Sequence, residues 1–134
     1  IGQPSQMECW ITCYQMLFKA SDLNWNLDKI EAKLIAGGFS SAKQARISGI
    51  GDSELLQCAE ALGINYGKTN ELSSVNAVKM KLKLCGPLWV AGHFQGNTGS
   101  RYKHVVMVIG VEEEGRFPTV AIVNPWQENL VDRP

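Results

Sequence analysis

Gln3-Pro-Ser-Gln-Met-Glu-Cys9-Trp10-Ile-Thr-Cys13-Tyr14-Gln-Met-Leu17-Phe18 sets a thiol at the start of an apolar-striped segment, with a glutamine just upstream. Trp10, Tyr14, Leu17 and Phe18 recur at spacings of three and four residues, the period of a helix that buries one face. Cys9 therefore heads that helix. The partial positive charge and free N–H groups of a helix start favour a thiolate, so the thiol pKa is expected to be lowered there. Free cysteines are also among the most often buried residues, and chemistry at Cys9 has to be argued from the rest of the chain.

Outward from this helix, Ser21 to Asn24 is a polar break, and Leu27 to Ile35 has a helical period that stops at Gly37-Gly38, which predicts a second helix. Phe39 to Gly51 is rich in serine, glycine and other small residues without a clear period and reads as a loop. Asp52-Ser53 cap a third helix over Glu54 to Leu62, closed by Gly63, and Ile64-Asn-Tyr66 reads as a short extended piece. Ser73-Ser74 open a fourth helix over Val75 to Leu84, whose lysines mark a solvated face. From Cys85 onward the period changes. Gly86-Pro87 stops the helix, Leu88 to Gly92 suits a buried strand, and His93 to Arg101 reads as a polar loop. His104 to Val111 is too β-branched to favour a helix; Glu112 to Arg116 forms a turn, and Pro118 to Val123 returns as a partner strand. In an antiparallel pair the start of one strand faces the finish of the next, so His104 and Asn124 are expected to be neighbours. The fold class expected is α+β: an N-terminal helical half carrying Cys9, packed against a C-terminal antiparallel sheet, with a cleft between them.

A length of 134 residues with 45% apolar residues supports one domain with a real core, and residues 1–134 are read as a single domain. Thirteen basic and thirteen acidic residues cancel, so no overall field favours nucleic acid or an anionic membrane. No apolar run approaches the roughly 20 residues that span a bilayer. Cys9, Cys13, Cys58 and Cys85 match neither a zinc site nor a dense disulfide framework, and they read as free thiols, Cys13 in the core. No metal and no cofactor is implied. The chain opens on Ile1 and ends on Pro134, which is read as a domain cut from a longer or processed protein.

Acyl transfer by a thiol needs a base, a group that orients the base, and donors for the oxyanion. Cys9, His104, Asn124 and Gln3 supply one of each, with His93 as the rival base in its glycine-rich loop. The chain resembles the papain-like cysteine proteases on these residues: Gln3 lies six before the Cys9-Trp10 pair, His104 heads a hydrophobic strand, and Trp126 follows Asn124 by two. The shortness of the chain and the run Gly86-Pro87-Leu88-Trp89-Val90 resemble the compact bacterial branch that includes avirulence-type effector proteases and relatives of bacteriocin-processing peptidases. By that resemblance Gln3 serves the oxyanion hole, Cys9 is the nucleophile, His104 the base and Asn124 its orienting residue, while Trp10 and Trp126 line the site. The resemblance also implies a protein or peptide substrate, a cognate inhibitor or immunity protein, and secretion or delivery into a target cell. Two departures stand out. The glycine-rich lead-in of papain is replaced by Pro4 to Glu8, and Glu8 sets a negative charge beside the nucleophile, which opposes a thiolate if it points inward. A Cys-His amidase or deamidase acting on peptidoglycan or protein glutamine shares this chemistry; an inactive peptidase-like binding module is the reading from another class.

Overall fold

The computed structural model describes residues 6–67, 74–95, 101–113 and 119–125. A 3-10 turn, Gln6–Glu8, runs straight into α1 (Cys9–Ala20), so the helix start expected at Cys9 is found there. Trp10, Ile11, Cys13 and Tyr14 are buried on it, and Met16, Leu17 and Phe18 pack against the same core.

Helix α2 (Leu27–Ala36) is capped by Asn26, whose Oδ1 accepts the Lys29 backbone N–H at 2.8 Å, and it buries Ile30 and Leu34. Its end touches α4 (Leu55–Leu62) closely: a Cβ on Gly37 would run into the Ala61 carbonyl oxygen, so only glycine lets the two helices meet there. The segment read as a loop contains a helix instead, α3 (Ala42–Ser48), with Ala42 and Ala45 buried beside Phe39. Alanines three apart carry a weak apolar signal, but they let α3 approach the core closely. Helix α4 follows a 3-10 turn at Asp52–Glu54, in which the Glu54 carboxylate accepts the Gly51 N–H at 2.9 Å. Ile64 to Tyr66 has no strand character. Helix α5 (Val75–Cys85) is capped by Ser74, whose hydroxyl accepts the Ala77 N–H at 3.1 Å.

The sheet is β1 (Leu88–Gln95), β2 (Arg101–Glu112) and β3 (Thr119–Val123), antiparallel throughout and in the order β1-β2-β3. The first hairpin is longer than expected, because backbone pairing continues from Gly92–His104 through His93–Lys103 to Gln95–Arg101. Ladder bonds use main-chain groups, so polar residues join a strand that their side chains do not announce. Cross-strand partners Ala91 and Val105, Trp89 and Met107, and Met107 and Val123 all belong to the core that α1 shares. Tyr14 of α1 stacks on Trp89 of β1 with centroids 4.9 Å apart and planes 12° from parallel, and the Trp89 indole N–H donates to the Trp10 carbonyl at 3.0 Å. The helical half and the sheet half are joined at the start of α1.

Candidate active site

Val105 of β2 meets α1 twice. Its carbonyl accepts from Cys13 Sγ at 3.4 Å. One helical turn earlier its backbone N–H, with those of Trp10 and of Cys9 itself, lies close enough to the Cys9 sulfur to favour its charged form. β3 stops at Val123, opposite Met107, so beyond that pair the edge of β2 is open to the helix start. The peptide that joins His104 to Val105 is thereby held against Cys9.

Burial pushes the Cys9 thiol up, and the three backbone donors offset only part of that. The expectation that the helix start alone lowers this pKa is therefore corrected: desolvating a charged sulfur costs more than the local N–H groups return. A thiolate here needs a cationic neighbour. The other cysteines are free as well, and two are poor nucleophiles. Burial, with the nearby Cys9, holds Cys13 far above the usual thiol range, while burial and the Glu54 charge push Cys58 up to about 12. Cys85 is exposed.

His104 is 2% exposed and its Nε2 lies 2.7 Å from Asn124 Oδ1. The sheet register explains the contact. Met107 pairs with Val123, so Asn124 comes level with Val106, one diagonal step from His104 on the same strand. An amide oxygen only accepts, so Nε2 donates, and Nδ1 of the neutral imidazole is left as the nitrogen that exchanges a proton. His93 sits on β1, where its backbone pairs with Lys103.

Trp10 does not line a site. It is 0% exposed, its indole N–H donates to the Ala45 carbonyl at 3.2 Å, and its ring packs edge-on against Tyr14 and Phe39. Its role is to seat the turn that carries Cys9 in the core. Gln3 and Trp126 lie outside the described residues. Among the described residues no cluster of His, Cys, Asp or Glu is arranged to hold a metal ion.

Glu8 is turned toward α3. Its Oε2 lies 2.7 Å from Arg46 Nε, and Arg46 Nη1 reaches Asp28 Oδ1 at 2.9 Å and Glu31 Oε1 at 3.3 Å. Burial works against the Arg46 charge, but bonds to Asp28, Glu8 and Glu31 more than offset it and raise its pKa. Sequence reasoning missed Arg46 because it fell in the segment read as a loop; the signal available was its place next to Ala45 on a helical Ala42–Ala45 spacing.

The family model for papain-like cysteine protease AvrRpt2, Peptidase_C70, matches residues 2–132. No curated protein and no solved structure matches the chain. A match over nearly the whole length, on a helical half joined to an antiparallel sheet at Cys9, makes the chain a member of the papain-like cysteine protease AvrRpt2 family.

Proposed function

We propose that this domain is a cysteine endopeptidase that works through Cys9, His104 and Asn124. The observation that carries the reading is the 2.7 Å bond between His104 Nε2 and Asn124 Oδ1, formed one residue from the Val105 backbone that holds Cys9. Asn124 accepts the Nε2 proton and so directs Nδ1 to receive the Cys9 proton. The sulfur attacks the substrate carbonyl carbon, and the carbonyl π electrons move onto oxygen. The backbone N–H of Cys9 is the donor proposed for that oxyanion, with the Gln3 amide assigned the same role by resemblance to the family. Collapse of the intermediate breaks the C–N bond as His104 returns the proton to the leaving amine, which leaves a thioester on Cys9. Water then attacks the thioester with His104 as base, releasing the acid and restoring the thiol.

The family supports an effector role in which the domain is delivered into a target cell and cuts a protein there; a cognate inhibitor as a further partner is part of the proposal. No described helix is long and apolar enough to cross a membrane. Mapping of new protein N-termini after expression of the wild-type domain and of Cys9→Ala is the test. New termini made by the wild type and lost in Cys9→Ala are expected; the same termini with both proteins would overturn the reading.

A further inference from the structure

Glu8 precedes the nucleophile directly, and its side chain is 9% exposed. A buried carboxylate beside a sulfur that must become negative works against the reaction unless its charge is cancelled. Arg46 supplies that charge from α3, through a 2.7 Å contact with Glu8, and its second branch is fixed on α2 by Asp28 and Glu31. One guanidinium thus ties three elements together at the foot of the catalytic turn. A planar fork with several donors can serve three carboxylates at once, which an ammonium group cannot do with the same fixed geometry. The charged groups around Glu8 are Arg46 and Lys43 of α3 and Asp28 and Glu31 of α2, while Cys13 of α1 lies near Cys9 and His104 of β2 precedes the Val105 backbone that approaches Cys9.

We propose that Arg46 is a positioning residue for the reaction: by holding the buried Glu8 carboxylate it fixes the turn that presents Cys9 and cancels the negative charge next to the thiolate. The inference rests on Cys9 being the nucleophile. Adjacent residues keep their side-chain ends within roughly 10 Å, and at that range an uncancelled charge in a partly buried setting moves a titration by about one pH unit.

The test is the pH profile of iodoacetamide alkylation at Cys9, read by peptide mapping, with exposed Cys85 as the internal reference. Arg46→Gln should move the Cys9 profile upward by about 0.5 to 1 pH unit and leave the Cys85 profile in place. The double variant Glu8→Gln with Arg46→Gln removes both charges at nearly constant shape, and its Cys9 profile should return toward the wild type. An unmoved profile in Arg46→Gln, or a double variant displaced as far as the single one, overturns the proposal. The protease reading is judged on the wild type alone: a Cys9 no more reactive than Cys85 at neutral pH counts against that reading, while the comparison of variants still decides the role of Arg46.

Discussion

A buried thiol is a poor acid on its own, so the chemistry of Cys9 turns on how it becomes charged. With its pKa raised by burial, Cys9 alone would ionise only above the ordinary thiol range. In the proposed mechanism, transfer of its proton to His104 creates both charges together, each stabilising the other, and such a pair titrates as a unit. Two consequences separate the residues. His104→Ala should slow cleavage by about 100- to 10,000-fold and also shift Cys9 alkylation to higher pH, since the lone thiol keeps the upward push of burial. Gln3→Ala should slow cleavage by about 100- to 1,000-fold and leave alkylation unchanged, because iodoacetamide builds no oxyanion. Paired rates of peptide cleavage and alkylation across pH distinguish the two, and a Gln3→Ala protein with wild-type cleavage would remove the glutamine from the site. Cys13→Ser keeps a donor for the Val105 carbonyl and should keep most activity, whereas Cys9→Ala should keep the fold and lose turnover.

At the scale of elements, what was legible in the sequence followed the strength of the local signal. Helix α5 was readable because Ser74 caps it and Gly86 ends it at a φ of 79° that glycine adopts freely. The neighbouring of His104 and Asn124 was readable because antiparallel pairing brings strand start and strand end together. Helix α3 was not readable, since its buried face consists of Ala42 and Ala45 and its packing against the 3-10 turn before Cys9 is a tertiary fact. With α3 went Arg46, and with Arg46 the answer to what neutralises Glu8. The length of the first hairpin was hidden for a different reason: main-chain pairing at Gln95–Arg101 leaves no hydrophobic trace. The close meeting of α2 with α4 is testable directly. Gly37→Ala puts a methyl group against the Ala61 carbonyl and should lower stability by about 1 to 3 kcal/mol, measured by urea denaturation. A wild-type midpoint would mean that the helices separate more easily than this packing allows.

At the scale of the molecule, the hydrophobic core formed by the described residues holds three ionisable groups. Cys13, Tyr14 and Cys58 are all buried there, and burial raises the pKa of each. In the unfolded chain the two thiols ionise near 9.0 and the phenol near 10.0, whereas in the folded protein Cys58 holds its proton to about 12 and burial raises Cys13 and Tyr14 well above their ordinary values. Folded protein therefore binds more protons than unfolded protein above pH 9, and stability must fall as pH rises through that range. Below the unfolded values these groups contribute their full share, so neutral and acidic stability is set elsewhere. The expected result is a thermal midpoint that is insensitive to these groups up to about pH 8.5 and declines steadily from pH 9 to 11. Each thiol adds at most about 1.4 kcal/mol of loss per pH unit, so replacing one should flatten the decline visibly. Cys58→Ala is the informative variant, because Cys58 is a core residue of α4, far in sequence from the turn that carries Cys9. Its midpoint should start lower at neutral pH, from the lost packing, and then fall less steeply than the wild type between pH 9 and 11. Parallel declines in the two proteins would show that the Cys58 proton is not among those holding the fold together at alkaline pH.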